Sequence, residues 1–250
     1  MARSRSAKPK ASAGEQLPLF RPHGGARRGA GRPRASGRRS EAHKERPFHH
    51  GRHPVHVVVR VVDAIGNLRR RDTYLAIQHA TVTAARREVF RIVHLSVQRT
   101  HLHLIVEAET KAALAAGMQG FEISAAKQLN AAISRRRPGP RRRGQVFADR
   151  YHATVITSPR QTRHVLGYVM GNWRKHEEDR NPKLHGWTID WFSSAIAFPD
   201  WAEYGDAPFL WRWPEGYAPL IVFRPRTWLL RVGWKKSSPT ISYREVPSSR

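Results

Sequence analysis

The sequence has 250 residues, of which 40% are hydrophobic, which is enough to bury a core and form a globular domain with extensions. Its 45 Lys and Arg against 19 Asp and Glu give a formal net charge of +26, so we expect a polyanionic partner, with nucleic acid the leading candidate. The absence of cysteine excludes disulfides, thiolate zinc sites and cysteine nucleophiles. Because the apolar runs are too short to span a bilayer and no apolar signal core follows Met1, we expect a soluble, cytoplasmic protein.

Residues 1–52 are basic and poor in large apolar side chains, which predicts a disordered arm. Arg32, Pro33 and Arg34 follow Gly31 in a pattern typical of an AT-hook, where an extended Arg-Pro segment lies in a narrow minor groove. A generic solvated basic tail is the alternative interpretation of the same residues.

From His53 onward, segments with strand and helix patterns alternate. The β-branched and apolar spacing predicts a strand at 53–62, a helix at 73–88, strands at 90–98 and 101–109, a helix at 111–134, a strand at 146–157 and a helix at 159–176. The first six elements have the order of a ferredoxin-like (RRM-like) α+β fold, an antiparallel sheet with two helices on one face. We therefore predict a domain over 53–180.

The remaining residues, 181–250, are predicted to form an extension that packs on the core or contacts DNA. Trp228, Leu229 and Leu230 are expected to pack a final short element against the core. Other tryptophans have two interpretations, stacking on unpaired bases or, more commonly, a place in the core. They are Trp187, Trp191, Trp201, Trp211 and Trp213.

Segment 135–144 reads RRRPGPRRRG and predicts an exposed loop that carries its arginines on one tip. We expect these arginines, with Arg150 nearby, to contact DNA phosphates, and a free solvated loop is the alternative. They are Arg135, Arg136, Arg137, Arg141, Arg142 and Arg143.

The segment RTHLHLIVEA (99–108) places two histidines one residue apart in a predicted strand. Since side chains alternate between the faces of a strand, His101 and His103 point the same way, with their Cα atoms about 7 Å apart. Such a pair can share one divalent cation, although paired surface or packed histidines are the alternative. Glu107 lies on the same face, where we expect a solvent role rather than a metal ligand.

The predicted helix at 159–176 carries a tyrosine and an amide four residues apart. At 100° per residue, Tyr168 and Asn172 project together at the edge of an apolar stripe. If this helix docks on the histidine face of the sheet, Asn172 can supply a third metal ligand and Tyr168 a phenolic nucleophile. Packing alone is the alternative role for Tyr168, and Tyr151 is an alternative nucleophile that lacks a partner amide. The buried stripe is predicted to consist of Thr162, Val165, Val169 and Trp173.

Taken in order, the His-Leu-His strand after a hairpin, the basic loop, the VFADRYH segment and the Tyr-x-x-x-Asn helix resemble the single-tyrosine HUH transposases of insertion-sequence-200-like type. The resemblance covers roughly residues 53–176 and is closest to the branch of REP-associated tyrosine transposases. The family's metal site is matched by His101 and His103, and its tyrosine and polar ligand by Tyr168 and Asn172. Many members have Gln where this chain has Asn172, and an Asn where it has Thr100.

This resemblance implies that Tyr168 attacks a phosphodiester of single-stranded DNA at hairpin-containing ends, with Mg²⁺ or Mn²⁺ as cofactor. The product would be a 5′-phosphotyrosine linkage and a free 3′-OH, which can be rejoined without ATP. Two alternatives remain at this point, a non-catalytic basic nucleic-acid-binding protein of the same fold and an HUH relaxase or replication initiator. Both a monomer and a homodimer are open.

Overall fold

The computed structural model describes residues 50–136, 139–178, 189–203 and 217–247. Its strands are β1 (Val55–Arg60), β2 (Phe90–Val97), β3 (His101–Ala108) and β4 (His152–Val155). Its helices are α1 (Arg71–Ala84), α2 (Lys111–Arg135), α3 (Pro159–Lys175) and the short α4 (Trp228–Arg231). Turns of 3-10 helix cover Asp63–Ile65, Ser194–Ala197 and Gly233–Lys236. Most of the predicted arm, including Arg32 and Arg34, lies outside the described residues.

The four strands form one antiparallel sheet in the order β2-β3-β1-β4. With α1 between β1 and β2, and α2 between β3 and β4, this is the ferredoxin-like arrangement, and the predicted α+β fold is confirmed. The hairpin between β2 and β3 closes tightly, because the Gln98 N–H donates to the His101 carbonyl at 2.9 Å. This turn fixes where β3 begins and therefore which of its side chains face each side.

Two elements differ in extent from the prediction. The helix predicted at 73–88 begins at Arg71 and ends at Ala84. The strand predicted at 146–157 is regular only over His152–Val155, and Phe147 makes an isolated bridge with Val61.

Helix α2 passes through Gly117 without a break, and a Cβ there would lie 2.1 Å from the ring of Phe90. Glycine is thus needed at this position for α2 to approach β2.

The sheet is covered on both faces. On one face, alternate residues of β1 and β3 pack with α1 and α2 in a first core. On the other face, Val93, Ile105 and Ile156 pack against α3 in a second core. Alternation along β3 thus assigns Leu102, Leu104 and Val106 to the first core and the intervening residues to the α3 side.

Segments after residue 188 complete the second core. Buried Arg69 donates to both carboxylate oxygens of Asp190, at 2.8 and 2.9 Å, and to the Val97 carbonyl at 3.0 Å, which holds segment 189–203 against the sheet. The predicted packing after residue 225 is confirmed for Leu229 and Leu230, which are buried.

The prediction is wrong for Trp228, which is 50% exposed, while Trp234 fills the core instead. Trp201 is also a core residue, and its indole N–H donates to the Ala195 carbonyl at 2.9 Å. Trp191 is half-buried beside the second core. The tryptophans at 187, 211 and 213 lie outside the described residues.

Residues 243–247 form a C-terminal strap along α3. Arg163 of α3 donates to the Glu245 carboxylate at 2.6 Å, and the Arg174 side chain donates to the Tyr243 carbonyl at 3.0 Å. Between these contacts, Gly171 has so little free space that a Cβ would lie 3.3 Å from the Glu245 carbonyl oxygen.

No helix in the described segments is long and apolar enough to cross a membrane.

Candidate functional site

The histidine pair lies on the face of the sheet that α3 covers. His101 and His103 occupy alternate positions of β3, and their ring centroids are 4.8 Å apart in an edge-to-face arrangement. Both side chains are buried, with 9% and 4% of their surface exposed. The predicted same-face placement is therefore confirmed.

Helix α3 brings the tyrosine to this pair. The helix begins after Ser158, whose side chain accepts a hydrogen bond from the Gln161 N–H, and Pro159 occupies its first turn. The stripe predicted from the helical period is buried, which turns one side of α3 toward the sheet. As a result, the rings of Tyr168 and His103 have centroids 5.2 Å apart. The Lys175 ammonium lies 4.8 Å from the centre of the Tyr168 ring.

Asn172 lies one helical turn beyond Tyr168 and is completely buried. One turn further, at the C-cap of α3, the His176 ring is 5.4 Å from that of His101. Neither Oδ1 nor Nδ2 of Asn172 has a hydrogen-bond partner, and the same is true of Nε2 of His103. A buried polar group left unpaired costs about 1 to 3 kcal/mol. Unpaired buried atoms on both β3 and α3 indicate side chains that are available to a ligand.

The electrostatics of the pair favour neutral imidazoles. Burial, with smaller effects of Arg60 and His176, lowers the pKa of His101 to about 4. Burial, with the neighbouring His56 and His101, lowers the pKa of His103 to about 2. At neutral pH each ring therefore offers a nitrogen lone pair, which is the form that binds a metal.

The donor set suits a divalent cation. Two imidazoles and an amide oxygen, from His101, His103 and Asn172, match the mixed nitrogen and oxygen preference of Mn²⁺ and are compatible with Mg²⁺. In the described segments, no three His, Cys, Asp or Glu side chains form a group that could hold a metal ion. Among the described residues, a third protein ligand at this pair would therefore have to be of another type, and Asn172 is the residue that the sequence predicts for it.

Two histidines near this site were not predicted. His56 of β1 lies with its Nε2 3.1 Å from Nδ1 of His103, and its ring centroid is 6.0 Å from that of Tyr168. Only the pairing register of β1 with β3 reveals this contact. His176, in contrast, follows Asn172 by four residues, so helical spacing was a signal that could have found it.

Other candidate residues lie elsewhere. Tyr151 is buried in the first core, away from the face that carries the histidine pair. The solvent-facing position predicted for Glu107 is wrong, because its side chain is 4% exposed. Its carboxylate accepts hydrogen bonds from the backbone N–H groups of Arg226 and Thr227. The C-terminal segment thus covers this end of the histidine face.

The arginines after α2 divide into two groups. The prediction of a shared exposed tip is wrong for Arg136 and Arg142, which are half-buried. Arg136 pairs with the carboxylate of Asp72, and Arg142 donates to the Asn130 side chain and to the Gln145 carbonyl. The exposed arginines are Arg135, Arg141, Arg143 and Arg150. Residue 137, the remaining predicted arginine, lies outside the described residues.

A comparison with protein-family models finds a match over about half of the chain. Residues 52–172 match the model of the IS200-like transposase family, so this segment is similar to that family. A comparison with curated proteins finds no match.

Two solved structures are similar to this chain. One is a REP-associated tyrosine transposase bound to a REP hairpin, with 16% identity, a TM-score of 0.47, and coverage of 74% of this chain and 99% of that one. The other is a candidate transposase from Deinococcus radiodurans, with 11% identity, a TM-score of 0.33, and coverage of 59% of this chain and 98% of that one.

Proposed function

We propose that this protein is a transposase that nicks and rejoins single-stranded DNA through a covalent 5′-phosphotyrosine intermediate on Tyr168. One observation carries the proposal. The Tyr168 ring lies 5.2 Å from that of His103, whose buried Nε2 has no partner, and the side-chain atoms of Asn172, one helical turn beyond Tyr168, are also buried without partners. A phenol beside an imidazole that can bind a metal is the arrangement that nucleophilic attack on a metal-bound phosphate requires.

His101, His103 and Asn172 are the residues that would hold the cofactor, Mg²⁺ or Mn²⁺. When bound, such an ion supplies positive charge that polarises the scissile phosphate and stabilises the oxygen charge that develops during displacement. The burial that keeps both imidazoles neutral also keeps the pair ready for a cation at neutral pH. Helix α3 positions Asn172, because its buried stripe fixes the rotation of the helix on the sheet.

The phenolic oxygen of Tyr168 attacks the phosphorus and forms a new P–O bond, while the bond from phosphorus to the 3′ oxygen breaks. The phenol proton passes to solvent, and the leaving 3′ oxygen takes up a proton to become a 3′-OH. Lys175, with its ammonium 4.8 Å from the centre of the Tyr168 ring, places a positive charge where the phosphate would approach. Since the phosphodiester energy is kept in the phosphotyrosine bond, a 3′-OH can reverse the reaction without ATP.

The proposed partner is single-stranded DNA with hairpin-forming repeats. Its phosphates would contact the exposed arginines Arg135, Arg141, Arg143 and Arg150, which supply sequence-independent attraction. Arg32, Arg34 and Arg137 belong to the same proposal from the sequence alone. The net charge of +26 and the hairpin bound by the similar REP-associated transposase support this choice. A cytoplasmic, nucleoid-associated location is part of the proposal.

The test is to trap the covalent intermediate. The protein is incubated with Mn²⁺ and single-stranded oligonucleotides that carry hairpin-forming repeats, and adducts that survive denaturation are mapped by peptide mass spectrometry. We expect a phosphonucleotide on Tyr168 and none in the Tyr168→Phe variant. Tyr151→Phe is the matched control and should keep the adduct, because Tyr151 is buried in the first core. An undiminished adduct in Tyr168→Phe would contradict the proposal.

A further inference from the structure

His56 is the one β1 side chain that the structure shows in hydrogen-bond contact with the histidine pair. In the register of the sheet, Val58 of β1 lies directly opposite His103, and His56 lies opposite Ile105. His56 and His103 are therefore diagonal neighbours on the α3 side of the sheet. Their rings stack with centroids 5.3 Å apart and planes 16° from parallel, and the distance from His56 Nε2 to His103 Nδ1 is 3.1 Å.

A hydrogen bond between two ring nitrogens needs one N–H and one lone pair, so it can be made in two ways. If His56 donates, the proton of the neutral His103 ring sits on Nε2. That nitrogen is buried and has no partner, so its N–H would be unsatisfied and unable to bind a metal. If His103 donates from Nδ1, its Nε2 instead presents a lone pair into the site. Only the second arrangement leaves a lone pair on His103 Nε2 that can bind a metal.

We infer that His56 is a positioning residue that accepts the Nδ1–H of His103, and so fixes the tautomer and ring orientation in which His103 Nε2 binds the metal. Histidine ligands generally donate their second ring N–H to an outer partner, commonly a carboxylate or a carbonyl, and the loss of that partner weakens metal affinity about 10- to 100-fold. Here the partner is a second histidine on the neighbouring strand. The inference rests on the proposed metal site, but the tautomer of His103 can be measured without metal.

Two variants separate the hydrogen bond from the ring contact. His56→Phe keeps an aromatic ring next to His103 and Tyr168 but removes the acceptor. His56→Gln removes the ring but places an amide oxygen near the position of the imidazole Nε2. His152→Gln is the matched control, because His152 is an exposed histidine on the same side of the sheet, one strand away, opposite Val58 of β1.

The first measurement is Mn²⁺ affinity of the full chain without DNA, by electron paramagnetic resonance of free Mn²⁺. We expect His56→Phe to bind Mn²⁺ about 10- to 100-fold more weakly, and His56→Gln and His152→Gln to stay within about threefold of the parent chain. The second is ¹⁵N NMR of the histidine rings in metal-free protein. In the parent chain we expect the ring hydrogen of neutral His103 on Nδ1. In His56→Phe we expect that hydrogen to be no longer confined to Nδ1.

Unchanged Mn²⁺ affinity in a folded His56→Phe variant would overturn the inference, as would a His103 hydrogen found on Nε2 in the metal-free parent chain. Failure of the proposed function has a different signature. If His103→Ala also binds Mn²⁺ normally, the metal site itself is wrong. If His103→Ala abolishes binding while His56→Phe does not, the site stands and only the role of His56 is wrong.

Discussion

Glu107 and Thr227 are joined by a hydrogen bond of 2.7 Å from the Thr227 N–H to the Glu107 carboxylate, which also accepts the Arg226 N–H at 2.8 and 3.0 Å. A buried carboxylate at the end of β3 therefore anchors the segment that leads into α4. Its negative charge is matched by backbone donors and by Arg91, whose Nε lies 3.8 Å away. This contact links the strand of the histidine pair to the last third of the chain.

Glu107→Gln should destabilise the fold by about 1.5 to 3 kcal/mol, the usual value of hydrogen bonds to a buried charge. The amide keeps one acceptor oxygen but turns an NH₂ group toward backbone donors. Urea unfolding followed by tryptophan fluorescence measures the change. Glu109→Gln is the control, since Glu109 is exposed two residues further along, and it should change stability by less than about 0.5 kcal/mol. Equal stability of the two variants would show that the contact contributes nothing.

Asn172→Ala should weaken metal binding without the stability loss usual for a buried polar residue. In the metal-free protein the variant removes two buried polar atoms that have no partners, so its unfolding temperature should not fall far. The stabilisation gained from added Mn²⁺ should decrease by about 1.4 kcal/mol for each tenfold loss of affinity. Thermal unfolding with and without Mn²⁺ measures both effects.

Asn130→Ala is the control for Asn172→Ala, because Asn130 of α2 contacts Arg142 and not the histidine pair. Its response to Mn²⁺ should match that of the parent chain. If Asn172→Ala retained the full Mn²⁺ effect, its amide would not be a ligand.

Arg141→Ala with Arg143→Ala should weaken binding to all DNA sequences alike. Both side chains are exposed, and the loss of two phosphate contacts on a single strand should flatten the plot of log K against log salt by about 1.4. Fluorescence anisotropy over a salt series measures this slope. The rate of cleavage on saturating DNA should change little. A large loss of that rate would instead place the loop in the active site.

Arg136→Ala should act mainly on stability rather than on DNA binding. Arg136 is paired with Asp72 of α1, so its replacement leaves that half-exposed carboxylate with only the longer contact to Arg70, at 3.9 Å. We expect a lower unfolding midpoint in urea and a salt slope for DNA binding close to that of the parent chain. A slope reduced by about 0.7, the value for loss of one phosphate contact on a single strand, would show that Arg136 leaves Asp72 to contact DNA.

His94 should make the fold less stable as the pH falls. It is buried, with Nδ1 3.3 Å from the Ser194 hydroxyl, and burial lowers its pKa from 6.5 to about 4. Between these values the unfolded chain binds a proton that the folded chain does not, so stability is lost as pH falls from 6.5 to 4. The effect of this one residue is roughly 3 kcal/mol.

Urea unfolding at pH 7 and pH 4 tests this. In His94→Gln the loss of stability between the two pH values should be smaller by that amount, while the exposed His79→Gln variant should keep the parent's pH dependence. His56, His101 and His103 act in the same direction, because burial lowers their pKa values too. An unchanged pH dependence in His94→Gln would mean that the buried ring does not resist protonation.

The parts of the site that depend on local periodicity were predictable from the sequence. Strand alternation placed His101 and His103 on one face, and helical spacing placed Tyr168 and Asn172 on one edge of α3. The contact of His56 was not predictable, because it depends on the register between strands that are far apart in the chain. Local pattern likewise gave no sign that Asn172 would be completely buried, which depends on how α3 docks.

The errors share one physical cause, which is that local patterns do not show what covers a side chain. Glu107 occupies a strand face that would be open to solvent if residues 226 and 227 did not pack over it. Arg136 and Arg142 have the sequence of a solvated loop but find Asp72 and Asn130 on neighbouring helices. Trp228 and Trp234 are indistinguishable by type, and only the fold decides which is buried.

The C-terminal strap has a consequence for the timing of activity during synthesis. Helix α3 is held on the sheet by Trp234 and by the contacts of Arg163, Gly171 and Arg174 with residues 243–247. A ribosome makes these partners well after Tyr168 has emerged. A nascent chain therefore contains its proposed nucleophile, Tyr168, before it contains the residues whose packing holds α3 in position. The proposed DNA cleavage would thereby be disfavoured in half-made protein, and premature stop codons late in the gene should yield inactive products.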